Sequence, residues 1–490
     1  MSAHDNHALT AIPVVGPVVG CGLILAGAAI LRLWFAGGDL WIDEVWSLDH
    51  LAIARASSDG MDRIALFFHS NTHPLNTLYL ALVEALFGPY LPPIAYRLLS
   101  VVAGVGTVLM AALIGRRWSP PGGLIAALLV AVSYPMVHYG GEARGYSAML
   151  FAALGCFYYL ETTLRDRHPT RIAMFVTFSV MGLMAHLIFV VVQVALGIWA
   201  VVEMYRQRRS VISTAAGLVP LFGIQWMMVV VYGSVAVNNM VRGGDCCPEP
   251  GLDSVRIITG LTFGIDAFAF TSYVPLAILT LCVAAALVWL SRSGERSWIM
   301  LLVVVLAFPV ATIAFETKPD VIHRYFLPSA LFALMIGARV MDGLWNCGGG
   351  KRWVAAVLIG LFCIGNVSLW IKYAQGGGRG QYRAAVMDIA AATEGPQRIT
   401  TFPTFSPGKV FGYHARMLGL SERLNVVPVR QEPPVAADWF INGYLYGKTP
   451  EPEIVRTVGG VDVPYALSKT YPQWGLSGDT WAVYRRTPNP

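Results

Sequence analysis

Residues 171–204 read RIAMFVTFSVMGLMAHLIFVVVQVALGIWAVVEM, an apolar run with one basic residue at its start, one acidic residue near its end and a histidine in the middle. A helix crossing a bilayer needs about 20 such residues. One helix would overshoot the membrane, so the run reads as two spans divided at His186. Outward from it lie nine more blocks of the same kind. In chain order the eleven are roughly 12–36, 95–115, 122–139, 146–164, 171–186, 187–204, 211–235, 273–291, 298–315, 326–341 and 353–373. Apolar residues come in long blocks and do not alternate with polar ones, which favours helices over a β-barrel.

Composition agrees. Of 490 residues 56% are hydrophobic and 13% charged, against about 25% charged in soluble domains. A water-soluble enzyme, a disordered chain and a disulfide-rich secreted domain are excluded. The last 110 residues differ: they hold 20 of the 64 Asp, Glu, Lys and Arg residues and 12 of the 29 prolines. The runs RITTF, NVVPV, DWFING and TWAVYRR, separated by Gly- and Pro-rich turns, predict strands there, with a helix over Tyr382–Ala392. The expected architecture is a polytopic all-α membrane protein of about eleven spans. Residues 1–375 form the membrane domain and 376–490 a small α/β domain outside the bilayer. The tracts Gly348–Gly350 and Gly376–Gly378 read as flexible connectors.

Orientation follows from the loops. If the helices alternate strictly, Arg116–Arg117, Arg165/Arg167/Arg171, Arg206/Arg208/Arg209, Arg292/Arg296 and Arg339/Lys351/Arg352 share one side. The positive-inside rule makes that side cytoplasmic. Loops 37–94, 140–145, 236–272, 316–325 and everything after 374 then face outward. Asn76–Gly88 is almost long enough to span, but a crossing there would invert every later loop. It is therefore expected to lie in the outer interface with Glu84 toward polar surroundings, as is the helix beginning near Glu44. The N-terminus lacks a basic stretch and a small-residue cleavage site, so the first block reads as a retained helix. The net charge of +6 belongs to cytoplasmic loops, with no sign of nucleic-acid binding. Cys246–Cys247 sit in a polar loop, and no zinc-finger spacing occurs.

Chemistry-bearing residues gather in the outward loops. Trp41-Ile42-Asp43-Glu44-Val45-Trp46 offers two carboxylates, able to act as a general base or to hold a cation, or else a solvated loop in an interfacial tryptophan belt. His69 and His73 flank a short polar turn; they could join Asp43 and Glu44 around a divalent metal, or His73 could cap the helix that follows. Tyr139-Gly140-Gly141-Glu142-Ala143-Arg144-Gly145-Tyr146 places an arginine suited to phosphate in a very short loop, where it could also pair with Glu142. Lys318, His323 and Arg324, followed by Tyr325, concentrate positive charge on the side where the topogenic rule disfavours it, and an anionic ligand explains that. His186 reads as a kink or a site residue; Arg32, inside the first span, is expected to snorkel or to pair with another helix.

In order, the acidic pair after the first helix, the His73-Pro74 segment running to Tyr79, Glu142-Ala143-Arg144-Gly145-Tyr146, and the helix start His323-Arg324-Tyr325-Phe326-Leu327-Pro328 resemble the GT-C superfamily of membrane glycosyltransferases. The group in question is the bacterial one related to protein O-mannosyltransferases and to the aminoarabinose and galacturonic acid transferases of lipid A. The resemblance covers roughly residues 10–345; where the family often reads His-Pro-Pro-Leu-Tyr-Tyr, this chain has HPLNTLY. It implies an inverting enzyme of the inner membrane that moves a hexose or pentose from a polyprenyl-phosphate donor to a hydroxyl of an envelope glycolipid or another acceptor, on the periplasmic side. Asp43 matches the general base, with Glu44 in support. Arg144 and Arg324 match the residues that bind the donor phosphate, assisted by Lys318, His323 and Tyr146. His73, Tyr79, Glu142 and Tyr325 would line the cavity. No nucleotide or other cofactor is required, and a divalent metal could be accommodated. The competing readings are a transporter or flippase of lipid-linked sugars, which would place ionisable groups near the midplane of repeated halves, and a non-catalytic scaffold.

Overall fold

A computed structural model of the chain describes residues 15–60, 73–239, 250–316, 321–401, 405–427, 436–444 and 449–487. His69, Lys318 and Cys246–Cys247 lie outside these residues. The helical part runs through α1 (Val15–Ala36), α2 (Ile42–Ala56), α3 (Pro74–Phe87), α4 (Pro93–Arg116), α5 (Pro120–Val132), α6 (Tyr134–Gly140), α7 (Tyr146–Arg165), α8 (Pro169–Ala185), α9 (Phe189–Arg208) and α10 (Val211–Asn239). It continues through α11 (Gly251–Thr262), α12 (Val274–Arg292), α13 (Trp298–Leu302), α14 (Phe308–Ala314), α15 (Leu327–Asn346) and α16 (Gly349–Gln375). Eight of these are long and apolar enough to cross a membrane. The chain is a polytopic α-helical membrane protein with a small C-terminal α/β sheet domain.

Three of the eleven apolar blocks depart from a plain span. Block 122–139 is the pair α5 and α6, bent by 64° at Ser133; Pro135, which has no N–H, follows at once. Block 171–186 is the shorter helix α8. Block 298–315 is interrupted by a π-helical turn, Val303–Ala307, just ahead of Pro309.

Arg32 in α1 explains how the bend at Ser133 is tolerated. Its guanidinium is fully buried and donates to the carbonyls of Val130, Ala131 and Met136 across the break, and to Ala28 in its own helix. The side chain does not snorkel; it pairs with another helix and supplies donors to the Val130 and Ala131 carbonyls, which the bent helix cannot satisfy. Gly104 makes room, since a Cβ there would lie 2.5 Å from Arg32 Nε. Arg32→Leu is expected to orphan these carbonyls, at about 1–3 kcal/mol each, and to lower the thermal midpoint in detergent by several degrees. An unchanged midpoint would contradict this role.

The two ends of the bundle are chemically different. At one end Arg117 pairs with Glu161, Arg296 with Glu203, and Arg339 with Glu295 and Asp342. At the other end Arg97, near the start of α4, reaches Glu44. Twenty helical residues separate Arg97 from Arg117, about 30 Å, the thickness of a bilayer's hydrocarbon core.

Beyond α16 the Gly376–Gly378 tract forms a defined turn with positive φ at Gly377 and Gly378, not an open linker. Helix α17 (Tyr382–Ala391), β1 (Gln397–Thr400), α18 (Phe405–Met417), β2 (Leu424–Val427), β3 (Trp439–Tyr444), β4 (Glu453–Val458), β5 (Val461–Tyr471) and β6 (Thr480–Arg486) follow. The strands form one six-stranded sheet in the order β2-β1-β3-β6-β5-β4, parallel around β1 and antiparallel elsewhere. All four expected strands and the expected helix are present. Two further strands, β4 and β5, come from a stretch whose Pro464 argues against a strand.

Helix α18 lies on α2. Lys409 pairs with Asp49 at 3.3 Å, and His414 Nε2 lies 2.9 Å from the Leu40 carbonyl. Asp39 receives the backbone N–H and side chain of Arg383. The helix that carries Asp43 is thus held between the bundle and the sheet domain.

Candidate active site

Helix α2 begins with Asp43 and Glu44 in its first turn, where the exposed N–H groups favour negative charge. Consecutive helical residues point about 100° apart, and the two carboxylates have different surroundings. Glu44 faces inward. Arg97 donates to both of its oxygens at 2.8 and 2.6 Å, and the N–H groups of Ala143 and Trp41 donate at 2.6 and 3.0 Å. Arg97 spends its remaining N–H groups on the carbonyls of Ala36, Gly38 and Asp39. All five guanidinium donors are used, in a pair whose side chains are 0% exposed.

Asp43 faces the other way. Its Oδ2 accepts from Arg324 Nη1 at 2.8 Å and lies 3.6 Å from Arg144 Nη2. Arg144 also donates to the Asp43 carbonyl at 3.1 Å, and Ser47 Oγ donates to the same oxygen at 2.9 Å. The Asp43 side chain is 12% exposed and that of Arg324 16%. Three groups more than 100 residues apart in the chain therefore share one partly open point at the end of the bundle.

Aromatic rings close around the two arginines. His73 stacks on His186 with centroids 4.6 Å apart, Tyr146 lies 4.6 Å from His186, and Tyr139 lies 5.1 Å from Tyr146. Arg324 sits 5.7 Å over the Trp41 ring, and Tyr146 and Tyr325 border its charge. Within this wall the buried Tyr139 hydroxyl, His73 Nε2 and Arg324 Nε have no hydrogen-bond partner among the described residues. Buried polar atoms left in this way mark a place where a polar ligand or water completes the set. Burial is the first reason His73 falls well below the usual histidine range, with the charges of Arg144, His186 and Arg324 adding to it.

The loop that carries Arg144 has no regular structure of its own. Six different elements hold it. Arg379 donates to the Gly141 carbonyl, Glu44 accepts from Ala143 N, Asn76 donates to the Ala143 carbonyl and Ser100 to the Arg144 carbonyl. The fifth contact is through Glu142, whose Oε1 accepts from Ser477 Oγ at 2.7 Å and lies 3.2 Å from His138 Nε2 and 3.3 Å from Arg379 Nη2. Burial alone would raise the Glu142 pKa, but the Arg379 charge and the His138 and Ser477 contacts overcome it and hold the group at about 2. A carboxylate with a depressed folded-state pKa adds stability above its ordinary value of 4.5 and loses it as the pH falls toward 2. The midpoint of the native protein is expected to drop through that window by more than that of Glu142→Gln, whose amide does not titrate. Parallel curves would contradict the ionised Glu142.

Among solved structures, apo ArnT from Cupriavidus metallidurans is similar to this chain: the match covers 95% of this chain and 98% of that one, with a TM-score of 0.50 and 11% identity. The likeness is one of fold. No family model and no curated protein matches the sequence.

The structure brings together Asp43, Arg144, Arg324, Tyr146, Tyr325 and His73, and adds His186 and Tyr139. It does not bring Tyr79 there: that hydroxyl donates to the Ala95 carbonyl at 2.6 Å and joins α3 to α4. Glu142 and His323 sit in a neighbouring polar cluster, His323 Nε2 3.2 Å from the Leu476 carbonyl. For a metal the donor set fits poorly. Asp43 and Glu44 are engaged by guanidinium groups, and among the described residues no three His, Cys, Asp or Glu side chains converge as ligands would. A base flanked by two fixed cations suits a reaction in which a hydroxyl loses its proton while an anion departs.

Sequence reasoning missed Arg97 and Arg379. Each carried a signal. Arg97 is an ionisable residue inside an apolar block, where burying a charge is costly without a purpose. Arg379 sits in a Gly-rich turn whose backbone adopts positive φ at Gly378 and Gly380.

Proposed function

We propose that the protein is an inverting glycosyltransferase that moves a hexose or pentose from a polyprenyl-phosphate donor to a hydroxyl of an envelope glycolipid or another acceptor. The observation that carries this reading is the meeting of one carboxylate, Asp43, with two arginines, Arg144 and Arg324, at a partly open end of a membrane bundle. A prenyl phosphate enters from the bilayer with its anionic group at the boundary, where the guanidinium groups lie. The positive-inside rule puts the opposite, arginine-rich end in the cytoplasm and this site on the periplasmic face of the inner membrane.

In the free protein Arg324 is bound to Asp43. An arriving phosphate competes for the same guanidinium, and the carboxylate it releases becomes available to an acceptor hydroxyl. Asp43 then takes the hydroxyl proton as the oxygen forms its bond to the anomeric carbon. The bond from that carbon to the phosphate oxygen breaks, and Arg144 and Arg324 hold the charge that develops on the leaving phosphate. Lys318 would assist. Glu44, saturated by Arg97 and two backbone N–H groups, fixes the start of α2 and the Arg144 loop. No step uses a metal.

The test compares envelope glycolipids and glycoproteins by mass spectrometry from cells carrying the native chain and cells carrying Asp43→Asn. The proposal expects one product class to lose the mass of a single sugar in the variant. Identical profiles, with the variant present in the membrane at native levels, would overturn it.

A further inference from the structure

The connection between β5 and β6, residues 472–479, does not behave as a surface hairpin. Trp474 and Leu476 are buried among the membrane helices, Trp474 with its ring 5.4 Å from Tyr134 and 5.7 Å from Phe268. The Gln473 amide donates to the Ser477 carbonyl and braces the turn. From this brace two contacts reach out. Ser477 Oγ donates to Glu142 Oε1 at 2.7 Å, with His138 Nε2 2.9 Å away, and the Leu476 carbonyl lies 3.2 Å from His323 Nε2. Glu142 stands two residues before Arg144, and its carbonyl accepts from Arg144 N at 2.8 Å. His323 is the residue before Arg324. One turn of the C-terminal domain thus touches both segments that carry the arginines.

We propose that the turn 473–477 is a positioning element: it sets the spacing of Arg144 and Arg324, so the sheet domain takes part in phosphate recognition without touching the phosphate. This rests on the glycosyl-transfer reading above. Two guanidinium groups aimed at one point repel each other, so the backbone that carries them must hold them converged for an arriving phosphate. The Arg144 segment is an irregular loop and the Arg324 segment a single 3₁₀ turn, His323–Phe326, so neither is stiff alone. Contact with a common rigid turn fixes one relative to the other. Ser477 is a positioning residue, not a catalytic one.

The experiment measures binding of polyprenyl monophosphate, in detergent micelles, to the full-length protein by titration calorimetry. Ser477→Ala is expected to weaken binding about tenfold, the value of one hydrogen bond to a charged group. Ser477→Thr, which keeps the hydroxyl, is expected to restore it. A merely structural serine would lower the thermal midpoint of Ser477→Ala and leave the affinity of the folded fraction unchanged, and that result overturns the proposal. Should Ser477→Ala fail to elute as a single species, Gln473→Leu loosens the same turn from outside the Glu142 contact. The same weakening is expected; native affinity in that folded variant overturns the proposal. Native protein that does not bind polyprenyl monophosphate would instead remove the glycosyl-transfer reading, and this proposal with it.

Discussion

Asp43→Asn is expected to lower sugar transfer by about 10²–10⁴-fold, the usual contribution of a positioned general base, while the protein inserts and elutes as the native chain does. The amide has nearly the shape of the carboxylate and can still accept from Arg324, so the α2 end stays in place. What it cannot do is take a proton. Some donor affinity should survive, because Arg144 and Arg324 remain and no longer share their charge with an anion. The expected signature is a collapse of turnover with donor binding equal to or tighter than native. Steady-state transfer and polyprenyl monophosphate binding, measured on the same preparation, read both quantities. Turnover within a few-fold of native would remove Asp43 from the chemistry.

The neighbouring carboxylate should behave in the opposite way. Glu44→Leu leaves the Arg97 guanidinium buried without its anion, a change that costs about 3–5 kcal/mol when one partner of a buried pair is removed. Arg97→Leu should cost at least as much, since it also strips donors from the carbonyls of Ala36, Gly38 and Asp39. Combining the two removes both charges, and the loss should fall short of the sum. Those carbonyls would still lack partners, so the double variant should not return to native stability. Thermal unfolding in detergent measures all three. Adjacent residues would then divide into one whose loss abolishes turnover in a folded protein and one whose loss unfolds it. Native stability of Glu44→Leu would contradict this division.

Much of this was legible from residue types and order. The apolar blocks predict the helices because a bilayer leaves few alternatives, and the cations at 318, 323 and 324, in a loop expected to face outward, stand out against the positive-inside bias. Residue types alone could not separate Asp43 from Glu44; only the family resemblance did. Written side by side they look like one acidic pair; a helical turn sends them into different surroundings, one toward the buried Arg144 and the partly exposed Arg324 and one into a saturated buried pair. Arg32 shows the reverse difficulty. Its position in a span announced a special role, but the carbonyls it serves belong to a bend nearly 100 residues away. Ser477 carried no local signal at all. A serine in a Gly-rich turn is ordinary, and only the packing of Trp474 and Leu476 into the helices brings it to Glu142. Strand β5 was hidden by Pro464, and β4 by its place at the edge of the sheet.

The most direct measurement is the release of free polyprenyl phosphate from a polyprenyl-phosphate sugar by purified protein supplied with an envelope lipid extract. Native protein should release it in step with acceptor modification, and Asp43→Asn and the double variant Arg144→Met/Arg324→Met should not. Equal release by the native protein and these variants, or none from native protein across the hexose and pentose donors, would contradict the account.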